Sequence, residues 1–297
     1  MNKVVGFVGL GSMGKEVARN VLKAGFSLLP YDVRREPVEE MIQLGASDIR
    51  SVKEVGTADT VIVMVLNYPQ VEQVILGVDG LASTLKPGST VIVSSTISPS
   101  QAKSLAAALD ERQIGYIDAP VSGGKARAAA GTLTVMVGAS KDALLAHRSV
   151  LESFSANLYY CGPVGMGQLA KMFNQLMYSN ALVATAECVA LGTACGMDLR
   201  LMYDIISHGT GDSWIFRDRA ERMIARDFTG AGGCLDILVK DLGIVLQTAE
   251  HAHVPLLLTT AARQWAMIAS SLGHGEEDDS AVLKVLEKLT GKTEESC

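Results

Sequence analysis

Val4-Val5-Gly6-Phe7-Val8-Gly9-Leu10-Gly11-Ser12-Met13-Gly14 opens the chain and decides its fold. Val4 to Val8 is short, apolar and rich in β-branched residues, the pattern of a buried strand. Met13 to Ala24 reads as a helix, closed by Gly25. Between them Gly9, Leu10, Gly11, Ser12, Met13 and Gly14 form a G-x-G-x-x-G, a weak signal alone and a strong one between strand and helix. The first glycine allows a tight turn, the second lets a pyrophosphate approach the backbone, and the third lets helix and strand pack closely. The helix N-terminus then offers amide hydrogens and a partial positive charge to phosphate oxygens. The bland alternative is a glycine-rich turn without a ligand. A second strand, Phe26 to Tyr31, ends at Asp32, where a carboxylate can accept from a ribose 2′-hydroxyl and repels a 2′-phosphate. That favours NAD over NADP, although Arg34 and Arg35 follow closely and soften the charge argument.

Outward from this unit the chain keeps a βαβ rhythm. Thr60 to Leu66 and Thr90 to Ser94 are continuous β-rich runs, as in strands buried on both faces. Helical segments fall at Glu36 to Gln43, Tyr68 to Leu76 and Ser98 to Glu111, and further strands at Ile114 to Ile117 and Thr132 to Val137. The pattern predicts an α/β Rossmann-type domain, a doubly wound and mostly parallel sheet, over residues 1–163. Near Gly162-Pro163 the rhythm stops and helices take over: Gly167 to Cys195, Asp198 to Ser207, Ser213 to Arg226, Leu235 to Ala252, Pro255 to Ser271 and Ser280 to Leu289. Residues 164–297 therefore read as an all-α domain for substrate and oligomerisation, built on the long Gly167–Cys195 helix. That helix is apolar nearly all round, which predicts burial. Gly275-Glu276-Glu277-Asp278-Asp279 reads as a solvated acidic loop leading into the last helix.

Composition narrows the function. Among 297 residues, 26 Lys and Arg face 32 Asp and Glu, a formal net charge of −6. Mild acidity argues against nucleic-acid and anionic-membrane partners and leaves a small anionic substrate open. The five cysteines, Cys161, Cys188, Cys195, Cys234 and Cys297, include no C-x-x-C pair. A disulfide framework or zinc site is not expected, and a reducing cytoplasm fits. No secretory segment precedes Val4, and no apolar run is long enough to span a bilayer. His251 and His253 do not share a helix face, so no metal is expected there. Gly291-Lys292-Thr293 lacks the earlier glycine of a P-loop, that position being Leu286.

Two further features carry chemistry. In Asp118-Ala119-Pro120-Val121-Ser122-Gly123-Gly124 a serine and two glycines can converge amides and a hydroxyl on a carboxylate, or simply make a turn. Lys171 lies early on the long apolar helix, where a lysine must snorkel, pair or work in a site. Desolvation there would suit it to acid–base catalysis.

Taken together, these residues resemble the β-hydroxyacid dehydrogenase family, which includes 3-hydroxyisobutyrate dehydrogenase and tartronate semialdehyde reductase. The resemblance rests on four blocks in order: Phe7 to Gly14, Asp118 to Gly124 with Gly131-Thr132-Leu133-Thr134, Gly162 to Gly167 with Lys171, and Lys240-Asp241-Leu242. It implies hydride transfer between NAD(P) and a small β-hydroxy acid. Lys171 would be the acid–base group, and Ser122, Gly123 and Gly124 would hold the substrate carboxylate. Thr96 would lie by the nicotinamide, Leu66 and Asn67 by the adenosine, and Lys240 over the cofactor, supported by Asp241. It also implies a homodimer or homotetramer joined through the helical domains.

Three departures from the family pattern bear on the substrate. Gln175, preceded by Asn174, stands where the family commonly has asparagine, and extends the same amide by one carbon. Arg127, beside Lys125, replaces a glycine and suggests a more polar or acidic substrate unless both face solvent. Gly211-Asp212-Ser213-Trp214-Ile215-Phe216 and Leu235-Asp236-Ile237 resemble the branch acting on sugar acids such as L-threonate. Asp236 and Ser213 would then bond extra hydroxyls, and Trp214 and Phe216 either cover the site or fill the core. The competing readings are a 3-hydroxyisobutyrate dehydrogenase, a tartronate or succinic semialdehyde-type reductase, an imine reductase, which generally lacks the lysine, and a non-catalytic dinucleotide sensor.

Overall fold

The computed structural model describes residues 4–229 and 233–291; Cys297 and the Lys292-Thr293 end of the rejected P-loop lie outside them. The chain forms two compact units, Met1–Lys171 and Met172–Cys297.

In the first unit β1 (Val4–Val8), β2 (Ser27–Tyr31), β3 (Thr60–Val63), β4 (Thr90–Val93) and β5 (Gly115–Asp118) run parallel in the order β2-β1-β3-β4-β5. The sheet continues through β7 (Leu133–Gly138) to β6 (Val121–Ser122), both pairings at β7 being antiparallel, and β8 (Ser155–Gly162) pairs parallel with β7. The order reverses about β1, so a crevice opens beyond its C-terminal end, where the glycine turn lies. Alternate residues of β3 serve two cores. Ile62 joins Phe7, Ile92 and Ile117, whereas Val61 and Val63 join Val8, Val91 and Val93. This two-sided burial is why the strands read as unbroken apolar runs.

Helices cover both faces. α1 (Gly14–Lys23) and α2 (Arg35–Gln43) bury Val17, Val21, Val38 and Met41 in the first core. α4 (Tyr68–Leu76) and α5 (Pro99–Asp110) bury Val71, Ile75, Leu105 and Leu109 in the second. Each such side chain contributes roughly 1.5–3 kcal/mol. Ser98 and Gln101 form a reciprocal capping box at the start of α5, worth on the order of 1 kcal/mol. The short α3 (Val52–Val55), α6 (Gly124–Ala130) and α7 (Lys141–Glu152) complete the unit.

The strand expected over Thr60 to Leu66 stops at Val63. The Val65 amide donates to Ser95 Oγ at 2.8 Å, so the chain leaves the ladder there. α8 (Met166–Ala194) is 29 residues long and starts in the first unit, which ends at Lys171.

The second unit is helical. Leu182, Ala186 and Val189 of α8 share a core with residues of α9 (Leu199–Ser207), α10 (Trp214–Ile224), α11 (Leu235–His251), α12 (Leu257–Ala269) and α13 (Leu283–Thr290). α8 is not buried all round as its composition predicts: Phe173, Met177 and Leu191 are exposed, because the core takes only one of its faces. The acidic loop departs further from expectation. Asp278 and Asp279 are only 2 % and 3 % exposed, since Arg219 of α10 reaches Asp279 Oδ1 at 2.7 Å. Arg219 also meets Tyr178 Oη at 2.6 Å, and Tyr178 donates to Asp279. Among the described residues no helix is long and apolar enough to cross a membrane.

Candidate active site

The glycine turn is held from three sides. The Gly9 amide donates to the Tyr31 carbonyl at 2.9 Å, and Gly9 takes φ +100°, a conformation that favours glycine. A Cβ on Gly9 would lie 2.3 Å from the Met64 carbonyl oxygen, and one on Gly14 would lie 2.0 Å from that of Gly9. A Cβ on Gly11, by contrast, would meet nothing within 4 Å. Two glycines thus close the turn on itself, while the third faces open space above the start of α1. Met13 at that N-terminus provides no side-chain cap. The turn therefore fits a pyrophosphate: it has room at Gly11, beside the N-terminus of α1.

Asp32 follows β2. Its Oδ2 accepts the Leu10 amide at 2.8 Å, and its Oδ1 accepts the Arg34 amide at 2.9 Å and Arg34 Nε at 3.1 Å. Burial pushes the carboxyl upward, but the Arg34 bonds and the Leu10 amide outweigh it and hold Asp32 below the usual carboxylate range. The group is thus an ionised acceptor fixed to the glycine turn. Arg34 also reaches the Leu10 carbonyl at 3.4 Å.

The other first-unit candidates follow the C-terminal ends of successive strands. After β3, Leu66 is exposed and donates its amide to Gln70 Oε1 at 2.9 Å, while Asn67 caps α4 by accepting the Gln70 amide at 3.0 Å. After β4, Thr96 is half-buried between buried Ser95 and Ile97. After β5 in the chain, Ser122 ends β6 and Gly123, at φ +133°, is the N-cap of α6. A Cβ at Gly123 would strike Arg127 Cβ at 2.9 Å. Lys125 and Arg127 are both exposed in the first unit. Lys171, at 8 % exposure, is buried rather than snorkelling freely.

Two residues given no role above organise this edge. Asp118 ends β5 fully buried; its Oδ1 accepts the Gly165 amide at 2.7 Å and its Oδ2 the Gln168 amide at 2.9 Å. It thereby caps α8 with a negative charge at the helix's positive end. Burial raises its pKa to about 6, against the lowering effect of those amides. Gln168, also fully buried, donates from Nε2 to the Ser95 carbonyl at 2.9 Å and accepts the Ile97 amide on Oε1 at 3.1 Å. No local pattern announces Gln168, because its partners are backbone groups distant in sequence.

In the second unit the candidates form a separate chain of polar contacts. Asn174 Nδ2 donates to Gln175 Oε1 at 3.0 Å, Gln175 Nε2 donates to Asp241 Oδ2 at 2.6 Å, and Lys240 Nζ pairs with Asp241 Oδ1 at 3.0 Å. Asp236 is not part of it: its Oδ1 accepts from Ser270 Oγ at 2.6 Å. Ser213 caps α10, Phe216 is core and stacks on Tyr203, and Trp214 is half-exposed.

A dinucleotide turn at the switch point of a parallel sheet, followed by a helical unit, defines an NAD(P)-binding oxidoreductase. Residues 4–162 match the family described as the NAD-binding domain of 6-phosphogluconate dehydrogenase, and residues 165–286 match the NAD-binding region of NADP-dependent 3-hydroxyisobutyrate dehydrogenase. The chain is 40% identical over 298 residues to an L-threonate dehydrogenase of Cupriavidus necator, covering 99% of this chain and 100% of that one. It is 38% identical over 289 residues to the L-threonate dehydrogenase of Escherichia coli, covering 96% and 95%. A crystal structure described as 3-hydroxyisobutyrate dehydrogenase from Salmonella typhimurium superposes with a TM-score of 0.88 at 40% identity, covering 96% of this chain and 100% of that one. The chain belongs to the β-hydroxyacid dehydrogenase family. It is a dehydrogenase that transfers hydride between NAD(P) and the CH–OH group of a small hydroxy acid.

Proposed function

We propose that this enzyme oxidises a four-carbon sugar acid, L-threonate, with NAD, using Lys171 as the acid–base group. The observation that carries the chemistry is a buried lysine one helical turn beyond Gln168, whose amide brackets Thr96. Residues 1–163 serve the dinucleotide and residues 164–297 serve substrate and assembly. Bound NAD would supply the hydride acceptor for oxidation of the carbinol carbon. Lys171 takes the hydroxyl proton, or returns it in reduction. Ser122 and the amides of Gly123 and Gly124 hold the substrate carboxylate, and Thr96 lines the reacting centre. Ionised Asp32 accepts from the ribose 2′-hydroxyl and repels a 2′-phosphate, which favours NAD over NADP. Leu66, Asn67 and Lys240 contact the cofactor, while Asn174, Gln175 and Asp236 contact the substrate. The names of the relatives support the sugar acid.

The test is initial-rate measurement with NAD and with NADP on L-threonate, D-threonate, glycerate, 3-hydroxyisobutyrate and serine. L-threonate with NAD is expected to give the highest kcat/KM. Turnover confined to 3-hydroxyisobutyrate or glycerate would keep the enzyme class and remove the sugar-acid reading.

Self-association belongs to the same proposal. Phe173, Met177 and Leu191 on α8, with Leu257 and Leu258 on α12, expose large apolar side chains on the second unit. A second copy of this chain would cover such surface. Light scattering is expected to give a dimer or tetramer mass, and a monomer at micromolar concentration would refute the assembly. The described cysteines, Cys161, Cys188, Cys195 and Cys234, are all free thiols, which suits a reducing compartment such as the cytoplasm.

A further inference from the structure

The amide of Gln168 spans two backbone groups on either side of one residue. Nε2 binds the carbonyl of Ser95 and Oε1 binds the amide of Ile97, at 2.9 Å and 3.1 Å. Ser95 and Ile97 are buried, at 3 % and 0 % exposure, whereas Thr96 between them is half-buried. Gln168 thus treats the loop as a strand partner would, using one donor and one acceptor, and turns Thr96 outward. Ser95 Oγ accepts the Val65 amide at 2.8 Å and ties the loop to the one after β3.

The other end of the connection is α8. Positions 168 and 171 are three apart on the helix and share a face. Asp118 fixes where the helix starts by accepting the Gly165 and Gln168 amides. The contact between Gln168 and the loop fixes how the helix is rotated. Together the two bonds of the side chain and the two of Asp118 leave Lys171 little freedom relative to Thr96.

We infer that Gln168 is a positioning residue for hydride transfer: its amide sets the register between the Thr96 loop and the Lys171 turn of α8. The inference rests on the reading of Lys171 as the acid–base group. It touches neither substrate nor cofactor in this role and acts through the two residues it connects. Misplacing a reacting group by about 1 Å costs on the order of 100-fold in rate. The expected signature is therefore a loss in kcat with cofactor binding retained.

Gln168→Met keeps the length and apolar volume of the side chain but removes both bonds. Gln168→Asn is one carbon short and can keep only one of them, so it serves if the methionine variant does not fold. The kcat for oxidation is expected to fall about 10- to 100-fold in Gln168→Met and less in Gln168→Asn. The Kd for NAD, by fluorescence titration, is expected to stay within about threefold.

The deciding measurement is a double-mutant cycle. In a Lys171→Ala background the same Gln168→Met change should cost less than about threefold, because there is no lysine left to misplace. An equal loss in both backgrounds would mean that Gln168 merely supports the fold, and the inference would be overturned. A Lys171→Ala enzyme with near-normal turnover would instead remove the acid–base reading underneath, a result distinguishable from the first.

Discussion

Lys171→Ala is expected to lose about 100- to 10,000-fold in kcat while keeping its affinity for NAD, the range removed when a positioned proton-transfer group is lost. The lysine lies at 8 % exposure on the first turns of α8, whereas the glycine turn and Asp32 that face the dinucleotide are built from β1, β2 and α1. Removing the amine therefore leaves the dinucleotide surface intact. Chemistry and binding should separate: stopped-flow turnover falls and NAD titration does not move. The pH profile supplies a second reading. An amine accepts the substrate proton only when neutral, so oxidation by the unaltered enzyme is expected to rise with pH and reduction to fall. In the alanine variant both limbs should flatten. Turnover within a few-fold of normal, with the pH limb unchanged, would transfer the acid–base role to another group.

The largest effect on stability is expected at Arg219. The residue is 6 % exposed, its guanidinium bonded to Asp279 and Tyr178 and 4.0 Å from Asp278, with Asp218 beside it. Arg219→Ala would leave two buried carboxylates without their cation, a loss of about 3–5 kcal/mol for one broken partner of a buried pair. Urea unfolding should report it as a lower midpoint. The deficit should also depend on pH in a defined sense. Burial raises the Asp279 pKa to about 6, well above the usual carboxylate range, against the pull of Arg219. A raised carboxyl favours the protonated folded state, so its ionisation costs stability as pH rises through that value. Without Arg219 the pKa moves higher still. The deficit relative to the unaltered protein is then full at pH 8 and shrinks at pH 5, as the carboxyl takes up a proton. A deficit below about 1 kcal/mol at pH 8, or one that grows on acidification, would contradict this account.

That buried cluster also marks where the sequence is silent. Gly275 to Asp279 looks solvated because the cations near it in sequence, His274 and Lys284, pair only with Glu277, while the arginine that balances Asp278 and Asp279 lies on α10, surrounded there by Asp218 and Glu221. A burial set by a distant partner leaves no local period. The sheet is legible for the opposite reason. Val61, Ile62 and Val63 are apolar because both faces of β3 are covered, and the glycine turn must stand between strand and helix. Even there, the end of β3 depended on one side-chain bond from Ser95. Asp32 can be singled out from the alternation of strand and helix, whereas Thr96 is named only through the family resemblance and the Ser122 turn leaves two readings open. Asp118 and Gln168 could not be given roles, because each acts on backbone groups brought near only by folding. β8 escaped notice because its pattern is half-exposed, with Tyr159 and Tyr160 facing outward.

The partnership of Asp118 with its neighbour strand has a historical side. Asp118 of β5 stands in register with Gly138 of β7, and a Cβ at position 138 would lie 2.5 Å from both carboxylate oxygens. A descendant that lost the carboxylate first would be free to gain alanine at 138. Once it had, the aspartate could not return without the glycine returning too. The two positions form a ratchet: lineages leave this helix-capping arrangement by losing the aspartate before the glycine, and re-enter it only by regaining the glycine before the aspartate.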